Sequence, residues 1–142
     1  MDDLDQLIVR ELSKNARTPF LHIAKKAKVS ESTIRKRIAA LEGQGIIRKY
    51  SLVVDHARLG FTNHVFMGVD ALPERYLDVG KEFRKVPEIM HAWSSSGDHM
   101  FMLELLARDN DHLQDVSDRI RKIAGVTRIC PAVVKEALKG EV

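Results

Sequence analysis

Apolar positions in the first third of the chain recur at helical spacing. Leu4, Leu7, Ile8 and Leu12 fall on one face of a helix, and acidic Asp2 and Asp3 precede them, favourably placed at a positive helix N-terminus. The stretch "ARTP" is a break, where Thr18 can cap and Pro19 can take the first position of a second, short helix. That helix runs roughly from Phe20 to Ala27, with Phe20, Ile23, Ala24 and Ala27 inward. "KVS" turns the chain, and Ser30 is the expected N-cap of a third helix with Ile34, Ile38 and Leu41 as its buried stripe. "EGQG" stops it, with Gly43 or Gly45 free to take the left-handed conformation that ends helices.

Beyond Asp55 the period changes. "NHVFMGVDAL" alternates Val65, Met67, Val69 and Ala71 on one face, which predicts a strand. "PERYLDVGKEFRKV" spaces Tyr76, Val79, Phe83 and Val86 as a helix does. "EIMHAWSSS" and "HMFMLELLA" read as strands joined by a turn at Gly97 and Asp98. "DNDHLQDVSDRIRKIA" returns to helical spacing through Leu113, Val116, Ile120 and Ile123, and "GVTRICPAVVKEAL" reads as a last strand. With an offset of 37, "DVGKEFRKVPEI" overlays "DVSDRIRKIAGV", so this part is a β-α-β unit used twice. Two such units interleave into an antiparallel sheet with both helices on one face, a ferredoxin-like arrangement. The other face is then bare. Phe66, Phe101, Leu103 and Leu105 are its candidates, and a bare apolar face is an association surface. "IIRKYSLVVD", between the halves, is strand-like and long enough to pair with another protomer.

Three helices this short must pack together. The second and third, joined by a tight turn with small Ala24 and Ala27 at their crossing, match a helix-turn-helix. In that motif the start of the later helix enters the DNA major groove, and here it presents Glu31, Ser32, Thr33, Arg35 and Lys36. Hydroxyls and cations suit phosphate oxygens and base edges alike. Charge supports this placement. Residues 1–60 carry 12 Lys and Arg against 7 Asp and Glu, whereas residues 61–142 carry 11 against 13. A run such as Arg35-Lys36-Arg37 can be no more than a solvated face. The tight turn, the small crossing residues and the clustered cations together favour a polyanion.

Composition narrows the remaining classes. At 142 residues with 44% hydrophobic and 30% charged, the chain has an ordinary globular balance, enough for a core in each half. Its single cysteine, Cys130, cannot form an internal disulfide. No apolar run approaches the ~20 residues that span a bilayer, and the acidic opening differs from a signal peptide's, so a cytoplasmic protein with no membrane role is expected. Six histidines lie scattered without metal-ligand spacing, "SSSGD" is not a nucleophile elbow, and Gly43-Gln44-Gly45 lacks the context of a nucleotide fingerprint. No metal, cofactor or catalytic residue is expected.

"STIRKRIAALEGQGII" followed by "LGF", together with "LDQLIVRELSKNART" and "SSGDHMFMLELLARD", resembles the Lrp/AsnC (leucine-responsive, feast/famine) family of regulators over nearly the whole chain. The resemblance implies an α+β protein: an N-terminal winged helix-turn-helix over 1–46, a linker or hinge strand over 47–60, and a ferredoxin-like βαββαβ (RAM-type) domain over 61–142. It implies a non-enzymatic transcription regulator on double-stranded DNA, homodimeric and assembled into an octamer or other ring, responsive to an amino acid or related metabolite. Its recognition helix would fall on Ser30 to Leu41, with DNA-side residues Ser30, Ser32, Thr33, Arg35, Lys36 and Arg37. Its effector loop would fall on Gly97, Asp98, His99 and Met100. Family members usually carry Asp where Met100 stands, and a thioether cannot replace that charge. His56 likewise replaces the Pro of the family's D-P-x-x-L-G stretch. Gly97-Asp98 also suits a plain hairpin turn, and both readings stay open. Two alternatives remain: a relative of the tetrapyrrole decarboxylases of haem biosynthesis, which would use the neighbourhood of His91, and an architectural DNA-binding protein without an effector.

Overall fold

Asp2 opens the first helix, α1 (Asp3–Lys14), by accepting the Asp5 N–H while the Asp5 carboxylate takes the Asp2 N–H. This reciprocal pair satisfies two amide groups that a helix start leaves without partners. α2 (Phe20–Ala27) and α3 (Glu31–Gly43) follow in the computed structural model, which describes residues 1–141. The chain divides into two units, Met1–Leu52 and a second from Val53 onward. In the first, Ile8, Ile23 and Ile34 are fully buried, one from each helix, with Leu12, Ala24, Ile38 and Leu41 around them. The turn between α2 and α3 depends on Lys28, which adopts a left-handed conformation with φ 57°. Gly45 (φ 71°) ends α3, and the Ile46 N–H reaches back to the Leu41 carbonyl at 2.9 Å.

Two details of the first unit differ from the sequence reading. Thr18 does not cap α2; its hydroxyl donates to the Asn15 carbonyl at 2.7 Å, and Pro19 itself occupies the cap position. The expected wing is also missing: among the described residues no strand lies between Gly43 and Asn63, where the linker strand, expected to pair with another protomer, has no partner in the single chain. Tyr50, Leu52 and Val53 are exposed there, and a strand without a neighbouring strand cannot pair its backbone groups.

The second unit is a four-stranded antiparallel sheet of β1 (Asn63–Ala71), β2 (Ile89–Ser94), β3 (Phe101–Ala107) and β4 (Val126–Val133), in the order β2-β3-β1-β4. A 3-10 turn (Pro73–Arg75) leads into α4 (Tyr76–Phe83), and α5 (Asn110–Arg121) joins β3 to β4. The repeat appears as expected: α4 matches α5 and β2 matches β4, so the two copies supply opposite edges of one sheet. Val65, Met67 and Val69 on β1 pair with Leu105, Leu103 and Phe101 on β3, and all six are buried with Val79, Phe83, Val116 and Ile120 of the helices. This corrects the assignment of the bare face. Phe101, Leu103 and Leu105 point toward the helices, because register puts them beside the buried positions of β1. Phe66 alone of the four candidates lies on the other side, 36% exposed, with Trp93 at 48% on β2.

Candidate functional site

The exposed side of α3 follows from its buried one. Ile34, Ile38 and Leu41 face α1 and α2, so at 100° per residue Ser32 and Lys36 project directly outward with Arg35 beside them. Ser30 accepts the Thr33 N–H at 3.2 Å, and its Oγ lies 2.8 Å from Thr33 Oγ1 and 3.0 Å from Ser32 Oγ. The three hydroxyls therefore form one cluster at the positive end of the helix. Arg35 pairs with Glu31 one turn earlier, and its guanidinium lies 5.3 Å from the centre of the Phe20 ring. Lys36 makes no salt bridge among the described residues.

Arg37 behaves differently from its neighbours. Its Nη1 donates to Asp2 Oδ2 at 2.6 Å and to Asp5 Oδ1 at 3.1 Å, tying α3 to the start of α1. The Asp5 N–H, followed by the Arg37 guanidinium, lowers the Asp2 carboxyl to about 2. Of the six residues assigned to DNA, then, Ser30 caps α3 and Arg37 ties it to α1, whereas Ser32, Arg35 and Lys36 are exposed and Thr33 lies half-buried beside the cap. The Arg37 partnership was missed because nothing local in the sequence joins positions 2 and 37. The capping pattern at Asp2 was the available signal.

The loop joining β2 to β3 carries Gly97, Asp98, His99 and Met100. Gly97 has φ 104°, which the turn requires. Asp70 on β1 holds the loop, accepting the Met100 N–H at Oδ1 (3.1 Å) and meeting His99 Nδ1 at Oδ2 (3.0 Å). Ser95 closes it by donating its hydroxyl to the His99 carbonyl at 2.8 Å. Burial pushes the Asp70 carboxyl up, but the His99 and Met100 hydrogen bonds outweigh it and leave the carboxyl below its ordinary value. The Met100 side chain packs on the core, while Asp98 is exposed. The imidazole of His99 lies over Gly68, where any Cβ would come within 2.3 Å of the ring.

Sequence reasoning also missed a polar network on the open face of the sheet. Glu104 on β3 meets His64 Nε2 at Oε1 and His91 Nδ1 at Oε2, both at 2.7 Å. Burial raises this carboxyl, and the two histidines more than reverse the effect. The signal was the lone charge inside "FMLELLA", at a position that alternation sends away from the helices. Among the described residues no group of His, Cys, Asp or Glu is arranged to hold a metal ion, and no helix is long and apolar enough to cross a membrane.

A trihelical helix-turn-helix unit followed by a β-α-β repeat folded as one sheet defines the class of small two-domain transcription regulators. A family model for the AsnC-type helix-turn-helix domain matches residues 1–42, and one for the Lrp/AsnC ligand binding domain matches residues 64–141. The chain belongs to the Lrp/AsnC family, as its motifs led us to expect. It is similar to the HTH-type transcriptional regulator LrpA of Pyrococcus horikoshii, 43% identical over 98% of this chain and 99% of that one. Among solved structures it resembles E. coli AsnC, with TM-score 0.89 and 25% identity over 100% of this chain and 97% of that one. It is equally similar to the feast or famine regulatory protein of M. tuberculosis complexed with L-methionine (TM-score 0.89, 25% identity, 98% and 95% covered). These relatives are regulators, and the decarboxylase alternative has no counterpart among them.

Proposed function

We propose that this regulator binds DNA sequence-specifically through α3 and works as a dimer or a larger ring. The observation that carries the reading is the outward ridge of Ser32, Arg35 and Lys36, backed by a buried apolar stripe and flanked by exposed Lys25 and Lys28. Ser32, Thr33, Arg35 and Lys36 contact the duplex; Ser30 and Arg37 hold the helix in place for them. The Arg35–Glu31 pair is exposed, and such pairs are weak enough for a phosphate to displace. Replacing Arg35 and Lys36 together by Ala should weaken binding to a retained genomic fragment by ~1–3 kcal/mol for a base-reading pair. Unchanged affinity in a folded double variant would remove α3 from the account. Dimerisation is assigned to the open sheet face, where Phe66 and Trp93 are the large apolar groups left uncovered.

The loop at Gly97, Asp98, His99 and Met100 is assigned to effector response. One relative was solved with L-methionine, but here Met100 replaces the family's usual Asp and its side chain packs inward. An α-ammonium group would lack that carboxylate, so the effector is a metabolite other than a standard amino acid. A thermal-shift screen of the standard amino acids should be flat, because only a ligand specific to the native state raises the melting temperature. A saturable shift with any of them contradicts this assignment. The internal satisfaction of the loop by Asp70 and Ser95 also supports a second reading, an architectural DNA-binding protein whose loop is only a turn. DNA binding that no metabolite alters would favour it.

A further inference from the structure

The internal repeat provides a comparison within the chain itself. On one flank of the sheet, α5 and β4 close together: Ser117 is buried and Ile129 packs against the core. The matching positions on the other flank, 37 residues earlier, are Gly80 on α4 and Ala92 on β2. These smaller residues leave a recess of about 520 Å³ between α4 and the edge strand, floored by Tyr76, Phe83 and Phe101. Tyr76 and Phe101 stack there at 4.9 Å between ring centres.

Packing does not explain the glycine. A Cβ at Gly80 would meet only Phe101 Cε1, at an ordinary contact distance of 3.9 Å, and Gly80 does not need a positive φ. A glycine inside a helix is otherwise destabilising, so its effect here is to keep the recess open. Lys81 and Arg84 line the same recess, and neither forms a salt bridge among the described residues. We propose that the recess binds a small carboxylate with an aromatic or branched apolar body and no α-ammonium group, which the cations of Lys81 and Arg84 would repel. The body lies on Tyr76 and Phe101, and the carboxylate meets Lys81 and Arg84. The volume lies in the range of small-molecule sites, and an apolar floor with a few convergent charges is their usual construction. This site lies apart from the effector loop and does not depend on DNA binding.

The test uses the full chain and matched probes: phenylacetate, 4-methyl-2-oxopentanoate and the uncharged phenylacetamide. The wild-type protein should show a saturable rise in melting temperature with at least one carboxylate and none with the amide. Gly80→Leu and Ala92→Ile fill the recess, and each favours its own helix or strand, so both should fold and lose the shift. Lys81→Gln with Arg84→Gln should raise the dissociation constant at least tenfold, whereas Asp98→Ala in the loop should leave it unchanged. The proposal is overturned by a flat response to both carboxylates, by an equal response to the amide, or by a shift that survives both filling variants. It is equally overturned if filling the recess changes the mass in sedimentation, since the groove would then be a contact between copies. DNA retention measured on the same variants reports separately on the α3 reading.

Discussion

Asp2 does two things at once: it caps α1 and receives the Arg37 guanidinium of α3. Its carboxyl is lowered from 3.8 to about 2, so the stabilisation is complete above pH ~4 and is lost as pH falls through that window. Thermal unfolding between pH 5 and pH 2 should therefore show a loss that Asp2→Asn flattens, and a variant with the wild-type acid profile would contradict the coupling. Arg37→Ala should lower the melting temperature, whereas Lys36→Ala should leave it in place and reduce only DNA affinity. Ser30→Ala, which removes the α3 cap, should cost ~1 kcal/mol in denaturant unfolding. The Ser30 cap was legible because "VSEST" sets a hydroxyl just before an apolar helical stripe. The Asp2–Arg37 contact was not, since it depends on how α1 and α3 pack. Thr18 misled for a local reason: its hydroxyl donates to the Asn15 carbonyl, and Pro19 stands at the cap of α2 in its place.

Among the elements, helices were read more surely than strand faces. α1, α2 and α3 show one apolar stripe each, and a period of 3.6 with polar flanks admits a single orientation. In "FMLELLA" nearly every side chain is apolar, so only the lone charge of Glu104 marks the face turned from the helices, and pairing with β1 bears it out. The repeat still gave the topology, because its offset carries α4 onto α5 and β2 onto β4. Gly68 tests how firmly β1 and the β2–β3 loop are joined. A Cβ there would strike the His99 ring, so Gly68→Ala should break the His99–Asp70 contact and cost ~1–3 kcal/mol, as overpacking does. Thermal unfolding and the His99 ring resonances would report both effects; an unchanged variant would mean the ring is free to move aside.

At the scale of the whole molecule, the opposite charge of the two halves was visible in composition, and the basic half proved to be the helix-turn-helix. Assembly was less legible. The sequence indicated a bare sheet face but not its occupants, since a polar network around Glu104 shares that face with Phe66 and Trp93. If this face joins protomers, the full chain should sediment as a dimer or larger, and Phe66→Glu with Trp93→Glu should reduce its mass. A monomeric wild type at tens of micromolar would reject the assembly. The most direct measurement of the central claim is DNA affinity against salt concentration for the wild-type chain and the Arg35→Ala, Lys36→Ala double variant. Phosphate contacts release counterions, so the logarithm of affinity should fall linearly with the logarithm of salt, and the variant's slope should be shallower by ~1 for each phosphate contact removed. An affinity indifferent to salt, or an affinity and a slope that the two substitutions both leave unchanged, would contradict it.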